Sequence, residues 1–421
     1  MKRILFTHYG ENHIRGSERC LLNLIKHLDR GLFTPIVWCN SELLEQEVKD
    51  LQIRVIRSNF PILFGWLPSR YDFRGFLDIV KQGLKIVSEE RIDLIHANSG
   101  APNQWLNLIA RIRKLPLVSH LHSRYPLRDR VTLGLLNTSL TVGVSQPVVK
   151  QLLNDGLAPD QVKIIPNGID ANQQDKTAPV DLRNLLNLEQ QDFVAITVGS
   201  LIHRKGIDVL IRAIAGLRNR ELPVHLVIVG DGPEKPMLEN LSQKYNLQNY
   251  VHFLGERTDV AGLLRGGADV FVSGAREEVF GLVLAEANLA SIPVIAPRVG
   301  GIPEVIENNV TGILIPPENS AAVANAVQHL YKNPKLKNKL GLTGRQRVLE
   351  NFNVEKYVLR FQSTYLDLIQ DQKKYLGFFK NGNLLVISKI LTRALLIDFN
   401  KSRKSTGIKT YISRRLSQEN W

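Results

Sequence analysis

The sequence predicts an α/β chain with two parallel sheets, each flanked by crossover helices, and three observations lead there. Its 421 residues are enough for two domains, each with its own core. Short apolar runs alternate with longer helical patterns, the rhythm of strand–helix–strand units. That rhythm occurs twice, on either side of a polar stretch, DANQQDKTAPVD, from residue 170 to 181, which reads as a linker. Two Rossmann-like domains facing a cleft follow, with the ligand where carboxyl ends of strands and amino ends of helices converge.

In the first half the expected strands are RILFTH, TPIVWC, DLIHAN, PLVSHLH, LTVGVS and VKIIP, with helices such as Ser17 to Leu28, Asn103 to Arg113 and Pro147 to Asn154 between them. The second half restarts with FVAITVGS and continues through VHLVIVGDG, VHFLGE, DVFVSG, PVIAP and TGILIPP. The expected boundaries are residues 1–170 for the first domain, 171–183 for the linker and 184–352 for the second domain. A helix over 353–371 is expected to cross back to the first domain, and 372–421 forms a basic tail.

Composition excludes several functions. Hydrophobic residues at 44% and charged residues at 22% are the balance of a soluble globular protein. Cys20 and Cys39 are the only cysteines, too few for a disulfide framework or a metal cluster, and they fit a reducing cytosol. The start, MKRILFTHYGENH, has too short an apolar run for a signal peptide and alternates like a first strand. No apolar run approaches the roughly 20 residues that span a bilayer. The net charge of +14 points to nucleic acid only until its distribution is counted: residues 372–421 hold eleven basic side chains against two acidic ones, which is +9 of the excess. Nucleic acid is therefore not an expected partner.

In that tail, LLVISKILTRALLI repeats Leu384, Ile387, Leu391 and Leu395 at helical spacing, with a basic cluster from Lys401 to Arg415 behind it. A basic amphipathic helix suits an anionic membrane surface, which places a cytoplasmic protein peripherally on the inner face of the membrane. Packing of the oily face on the protein body is the competing reading.

EVFGLVLAE, residues 278 to 286, poses the sharpest question. The run is apolar on nearly every side, the sign of a buried helix, yet Glu286 stands inside it with no cation three or four residues away. A buried carboxylate needs a partner, either a distant base such as Arg298 or the hydroxyls of a ligand. Glycine-rich strand-to-helix turns at Gly16-Ser17, Gly199-Ser200, Gly230-Asp231-Gly232 and Gly300-Gly301 can present N–H groups to a phosphate, although ordinary turn chemistry explains each one alone. Arg204 and Lys205, in VGSLIHRKGIDVLI, stand at the mouth of the second domain's first strand, where cations beside a helix amino end suit a diphosphate. The chain has neither GxGxxG after a strand nor GxxxxGK[ST], so nicotinamide cofactors and P-loop nucleotides are poor candidates. It also lacks Asp-x-Asp, the usual holder of a divalent ion on a diphosphate. His120 and His122 share one face of a strand without a third ligand, so one of them reads as a site residue and a structural role stands beside that reading.

Taken in order, IIPNGID, VGSLIHRKGIDVLI, VIVGDGPE, EVFGLVLAE and VGGIPEVI with TGILIPP resemble the family-four retaining glycosyltransferases of GT-B fold, over about Met1 to Gln370. The resemblance gives Glu286 the role of holding the ribose hydroxyls of a nucleotide sugar. It places Glu278 near the transferred sugar and its phosphate. Phe280, Gly281 and Leu282 match the loop whose N–H groups face the diphosphate and sugar, and Lys205 matches the lysine that neutralises the diphosphate. His122 matches the acceptor-side histidine, and Gly16 the second glycine of the amino-terminal phosphate loop. Two positions depart from the family: Ser200 stands where arginine is usual, a contact that Arg204 can replace, and Arg15 stands where glycine is common.

The resemblance implies a metal-independent, hexosyltransferase-type enzyme without a resident cofactor. It would move a sugar from a nucleoside-diphosphate sugar to a hydroxyl on a glycan or lipid-linked acceptor, as in polysaccharide biosynthesis. Glu278, Lys205, Arg204 and His122 are the expected catalytic residues; Gly16, Ser200, Phe280, Gly281, Leu282 and Glu286 are expected to hold the donor. A sugar-nucleotide epimerase of the same fold and a non-catalytic sugar-nucleotide-binding protein are the alternatives.

Overall fold

A computed structural model describes residues 1–64 and 71–371. The tail helix and basic cluster expected within 372–421 lie outside the described residues. The described residues divide into two compact units, one of residues 1–165 with 358–371 and one of Pro166–Tyr357.

The first unit holds a seven-stranded sheet in the order β3-β2-β1-β4-β5-β6-β7. Its strands are β1 Lys2–His8, β2 Phe33–Cys39, β3 Arg54–Arg57, β4 Leu94–Asn98, β5 Leu117–Leu121, β6 Leu140–Gly143 and β7 Val162–Ile164, and every pairing is parallel. Parallel strands in such a sheet are covered by helices on both faces, and β4 and β5 are buried at every residue, polar His96, Asn98, Ser119 and His120 included. On one face, Trp38 from β2 meets Phe60 and Trp105 edge-on, with centroids 5.2 and 6.4 Å away. Gly83 lets helix Phe73–Glu89 close over that cluster, since a Cβ there would press on the Trp38 ring and overlap Ile109. The final helix, Val354–Gln370, contains the unit boundary. Its later turns bury Phe361 and Tyr365 against the first sheet, where the Tyr365 hydroxyl lies 2.7 Å from Nδ1 of His96 in β4.

The second unit repeats the plan with six parallel strands in the order β10-β9-β8-β11-β12-β13. These are β8 Phe193–Val198, β9 Val224–Val229, β10 Val251–Gly255, β11 Val270–Val272, β12 Val294–Pro297 and β13 Gly312–Ile315. In each sheet the order reverses between two strands that are not consecutive in the chain, β1 and β4 in one, β8 and β11 in the other. Open α/β sheets bind ligands at the carboxyl ends of such a pair.

Two local expectations change. The stretch at 170–181 is not an open linker: Asp170 caps helix Ala171–Lys176 by accepting the Gln173 N–H at 3.0 Å. Beyond that helix, Val180 N–H donates to Gly262 at 3.0 Å and Leu182 N–H to Gly266 at 2.9 Å, which binds the stretch to the second unit. Strand β3, RVIR, was not expected; charged residues at both ends and exposure at both ends hide a short edge strand from apolar patterning.

Burial, and then the nearby His122, push the His96 imidazole down to about 3. Below a pH of about 6.5 the unfolded chain takes up a proton that the native side chain refuses, so His96 lowers stability as pH falls, by on the order of 1 kcal/mol per unit once the pH is well below that value. Urea unfolding at pH 7 and pH 5.5 should show this loss. His96→Phe, which keeps a ring in the core, should reduce the pH slope by about that amount; an unchanged slope would mean His96 does not contribute.

Candidate active site

The second unit assembles its site at the carboxyl ends of β8 and β11. After β8 the chain turns through Gly199 into the short 3-10 segment His203–Lys205 and then, at Gly206 with φ +60, into helix Ile207–Arg218. After β11 it runs through Gly274 to Glu278. The two segments meet backbone to backbone: a Cβ on Gly206 would overlap the Gly274 carbonyl, and one on Gly274 would overlap the Gly206 carbonyl. This approach sets the Lys205 ammonium 2.6 Å from Glu278 Oε2, with the two side chains only 19% and 11% exposed. Burial pushes the Glu278 carboxyl up, but the charge and hydrogen bond of Lys205, then the charge of Arg204, hold it below the usual carboxylate range.

Arg276 fastens the same two segments. Its guanidinium donates to both carboxylate oxygens of Asp208, at 2.9 and 3.0 Å, to the His203 carbonyl at 2.8 Å and to Glu318 at 2.8 Å. Its own N–H reaches the Arg204 carbonyl at 2.8 Å. A planar fork satisfied on both edges fixes the turn that carries Lys205. On the other side of Glu278, the Gly301 N–H donates to the Glu278 carbonyl at 2.9 Å, and Gly300, at φ +52, leaves no room for a Cβ beside that oxygen.

Helix Leu282–Leu289 starts next to this pair, with Gly281 at φ +92 as its cap. Among the described residues the N–H groups of Phe280, Gly281 and Leu282 have no acceptor. The Phe280 ring is buried and packs edge-on against Phe352, 5.6 Å between centroids, so only its backbone is on offer. Glu286 corrects the sequence reading. The helix buries Leu284, Ala285, Ala287, Asn288 and Leu289, whereas Glu286 is half-buried on the side shared with Leu282, Val283 and Ala290. A mostly apolar helix of eight residues can still leave one side partly exposed, and Glu286 lies on that side. Arg298, the base considered as a partner, is exposed. Arg204 is exposed too, while Ser200 is half-buried between Gly199 and Leu201.

The first unit carries Gly16 and His122 within one polar chain. Gly16 opens helix Gly16–His27, whose third residue, Glu18, accepts the Arg15 N–H at 3.1 Å. His8, at the end of β1, lies 2.7 Å from Glu18 Oε1 and 2.6 Å from the Asn98 carbonyl at the end of β4. The Asn98 side-chain nitrogen also lies 2.9 Å from His8 Nδ1. Burial pushes Glu18 up, yet the hydrogen bond and charge of His8 hold it at about 2. The Asn98 side chain then bridges the Ser17 carbonyl, 3.2 Å away, to His122 Nε2, 2.9 Å from its Oδ1. Burial, then the charge of His8, push His122 down to about 3, so it is a neutral imidazole at neutral pH. His120 is fully buried, with its ring 4.9 Å from Phe361, and belongs to the core.

Lys205, Arg204 and Glu278 thus come together, with Phe280, Gly281, Leu282 and Glu286 on the adjoining helix start; Gly16 and His122 come together in the other unit. Sequence reading missed Asp208, Arg276, His8, Glu18 and Asn98. Among the described residues no group of three or more His, Cys, Asp or Glu side chains could hold a metal ion.

Gly300→Ala should displace the Glu278 peptide. A shift of about 1 Å in a catalytic group costs on the order of 10²-fold in rate, so turnover should drop in protein still folded at the assay temperature, although the strain also lowers the melting temperature. Full turnover in a folded Gly300→Ala protein would detach this turn from the site.

Comparisons with known proteins agree on a family. The model for glycosyl transferases group 1 matches residues 181–347, and the model for glycosyltransferase family 4 matches residues 14–173. N-acetyl-alpha-D-glucosaminyl L-malate synthase of Bacillus anthracis is 26% identical, covering 70% of this chain and 80% of its own. Alpha-monoglucosyldiacylglycerol synthase of Acholeplasma laidlawii is 25% identical over 74% of this chain and 85% of its own. Among solved structures, Anabaena Alr3699/HepE in complex with UDP and glucose superimposes with a TM-score of 0.75 at 26% identity, over 87% of this chain and all of that one. Its two parallel-sheet, Rossmann-like units are those of the GT-B fold, and the chain belongs to the group 1 glycosyltransferases of family-four type.

Proposed function

We propose that this glycosyltransferase takes a hexose from a nucleoside-diphosphate sugar and places it on a hydroxyl of a glycan or lipid-linked acceptor, with retention at the anomeric carbon and without a metal ion. The observation that carries this reading is Lys205, paired with Glu278 at the open amino end of helix Leu282–Leu289. The negative charge that grows on a leaving diphosphate needs preorganised donors, and the ammonium together with the N–H groups of Phe280, Gly281 and Leu282 supplies them. Arg204, exposed beside Lys205, adds a second cation and takes the part of the arginine that Ser200 replaces. Half-buried Glu286, farther along the same helix, accepts hydrogen bonds from the ribose diol.

Retention follows from same-face attack. The acceptor oxygen bonds to the anomeric carbon as the bond to the diphosphate breaks, and the acceptor proton passes to the departing phosphate oxygen. No carboxylate then needs to serve as nucleophile, which suits a Glu278 already engaged by Lys205. His122, neutral and held by Asn98, suits a hydroxyl-bearing ligand better than an anion. The UDP in the Anabaena structure supports the nucleotide half of the reading. Lipid acceptors are named for relatives such as the Acholeplasma enzyme and a mycobacterial GDP-mannose-dependent phosphatidylinositol monomannoside mannosyltransferase. These relatives favour transfer over the epimerase and binding-only alternatives. No helix among the described residues is long and apolar enough to cross a membrane.

With a radiolabelled donor and a lipid or glycan acceptor, label should appear in product, and Lys205→Ala should slow its appearance by roughly 10²-fold. A Lys205→Ala protein as fast as the parent would remove the lysine from the chemistry. Activity should also survive EDTA, because Lys205 and the helix N–H groups take the place of a cation on the diphosphate; strict dependence on added magnesium or manganese would overturn the metal-free mechanism.

A further inference from the structure

Lys205 already has an anion. Glu278 Oε2 sits 2.6 Å from its ammonium, and the other carboxylate oxygen accepts the Val279 N–H at 3.1 Å. The carboxylate thus rests on the cation and near the helix start that the donor reading assigns to the diphosphate. The start of helix Leu282–Leu289 is close by, since a Cβ on Gly281 would lie 3.6 Å from Glu278 Cγ. The other groups facing Glu278 are Arg204, from the same turn as Lys205, and the Gly301 N–H, which is spent on the Glu278 carbonyl.

Resting on the donor-site reading above, we propose that Glu278 couples donor binding to protons: an incoming diphosphate draws Lys205 away, and the carboxylate left behind takes up a proton from solvent. Burial is the largest influence on this carboxyl and acts upward, countered by Lys205 first and Arg204 second. A diphosphate shares or removes both counterions and adds negative charge within contact distance, so both changes favour the protonated acid. The protonated carboxyl can donate to a phosphate or sugar oxygen, where the carboxylate would repel it. Affinity for the donor should therefore rise as pH falls, by the linkage between proton uptake and binding.

The test is calorimetry of the full chain with UDP-glucose, UDP-N-acetylglucosamine and GDP-mannose in buffers of different ionisation enthalpy, from pH 5.5 to 8. These sugar nucleotides carry no phosphate that titrates in that range, so any proton taken up belongs to the protein. We expect uptake approaching one proton at pH 5.5 and fading towards pH 8, with affinity tightening in parallel as pH falls. Glu278→Gln should abolish the uptake, flatten the pH dependence and bind the nucleotide more tightly at pH 8. In the parent protein, a protonated-carboxyl band should appear in the infrared difference spectrum on donor binding, which gives a readout that needs no variant. Binding without proton uptake, or uptake that persists in Glu278→Gln, overturns the coupling and leaves the donor site standing. No binding of any of the three overturns the donor-site reading and the coupling with it.

Discussion

Lys205 and Glu278 are 73 residues apart in the chain and 2.6 Å apart in space, and that contact depends on two glycines whose backbones touch. Any side chain at Gly206 or Gly274 would push apart the segments leaving β8 and β11. Arg276 then locks the arrangement from behind by tying Asp208, Glu318 and the His203 carbonyl to the segment that bears Glu278. Close approach by glycine and a rigid planar cation together replace what flexible surface charges cannot provide, a fixed ammonium at the foot of a helix.

The first unit solves a related problem by other means. There too the functional candidates sit at the ends of strands that are neighbours in the sheet but distant in sequence, β1 and β4, with His8 and Asn98 separated by 90 residues. In place of glycine contacts, a polar chain runs from the Arg15 N–H through Glu18, His8 and Asn98 to His122. The Glu18 carboxyl is held low at one end, and at the other His122 is pushed down by burial first and by His8 second. The unit therefore holds a carboxylate inside and offers a neutral imidazole at the end of its sheet, a division suited to hydrogen bonding with uncharged hydroxyls.

The sequence reveals these features unevenly, for physical reasons. Strands buried on both faces are legible because most of their residues are apolar, and runs such as FVAITV and VHLVIV sit where the sheets place them. The short edge strand β3, with an arginine at each end, gives no such signal. Asp170 and the hydrogen bonds of Val180 and Leu182 make a packed segment from residues whose composition suggests a linker. The motifs locate Lys205, Glu278 and the helix start, but no pattern along the chain states that β11 lies beside β8. Arg276, Asp208, His8 and Asn98 are legible only once that adjacency, or that of β1 and β4, is known.

The two glutamates of EVFGLVLAE show why burial and function must be separated. Glu286, expected to be buried, is half-buried, so its side chain can meet a ligand without first leaving a core. Glu278 is half-buried as well, with its side chain 11% exposed, and its stability value is small, because removing two charges from water offsets much of their attraction. A lysine and an acid kept mostly out of water, at a place that the fold does not need them to fill, are best understood through the anion that displaces one of them. The Lys205–Glu278 contact holds the lysine in place, at the cost of an internal competitor that every incoming diphosphate must displace.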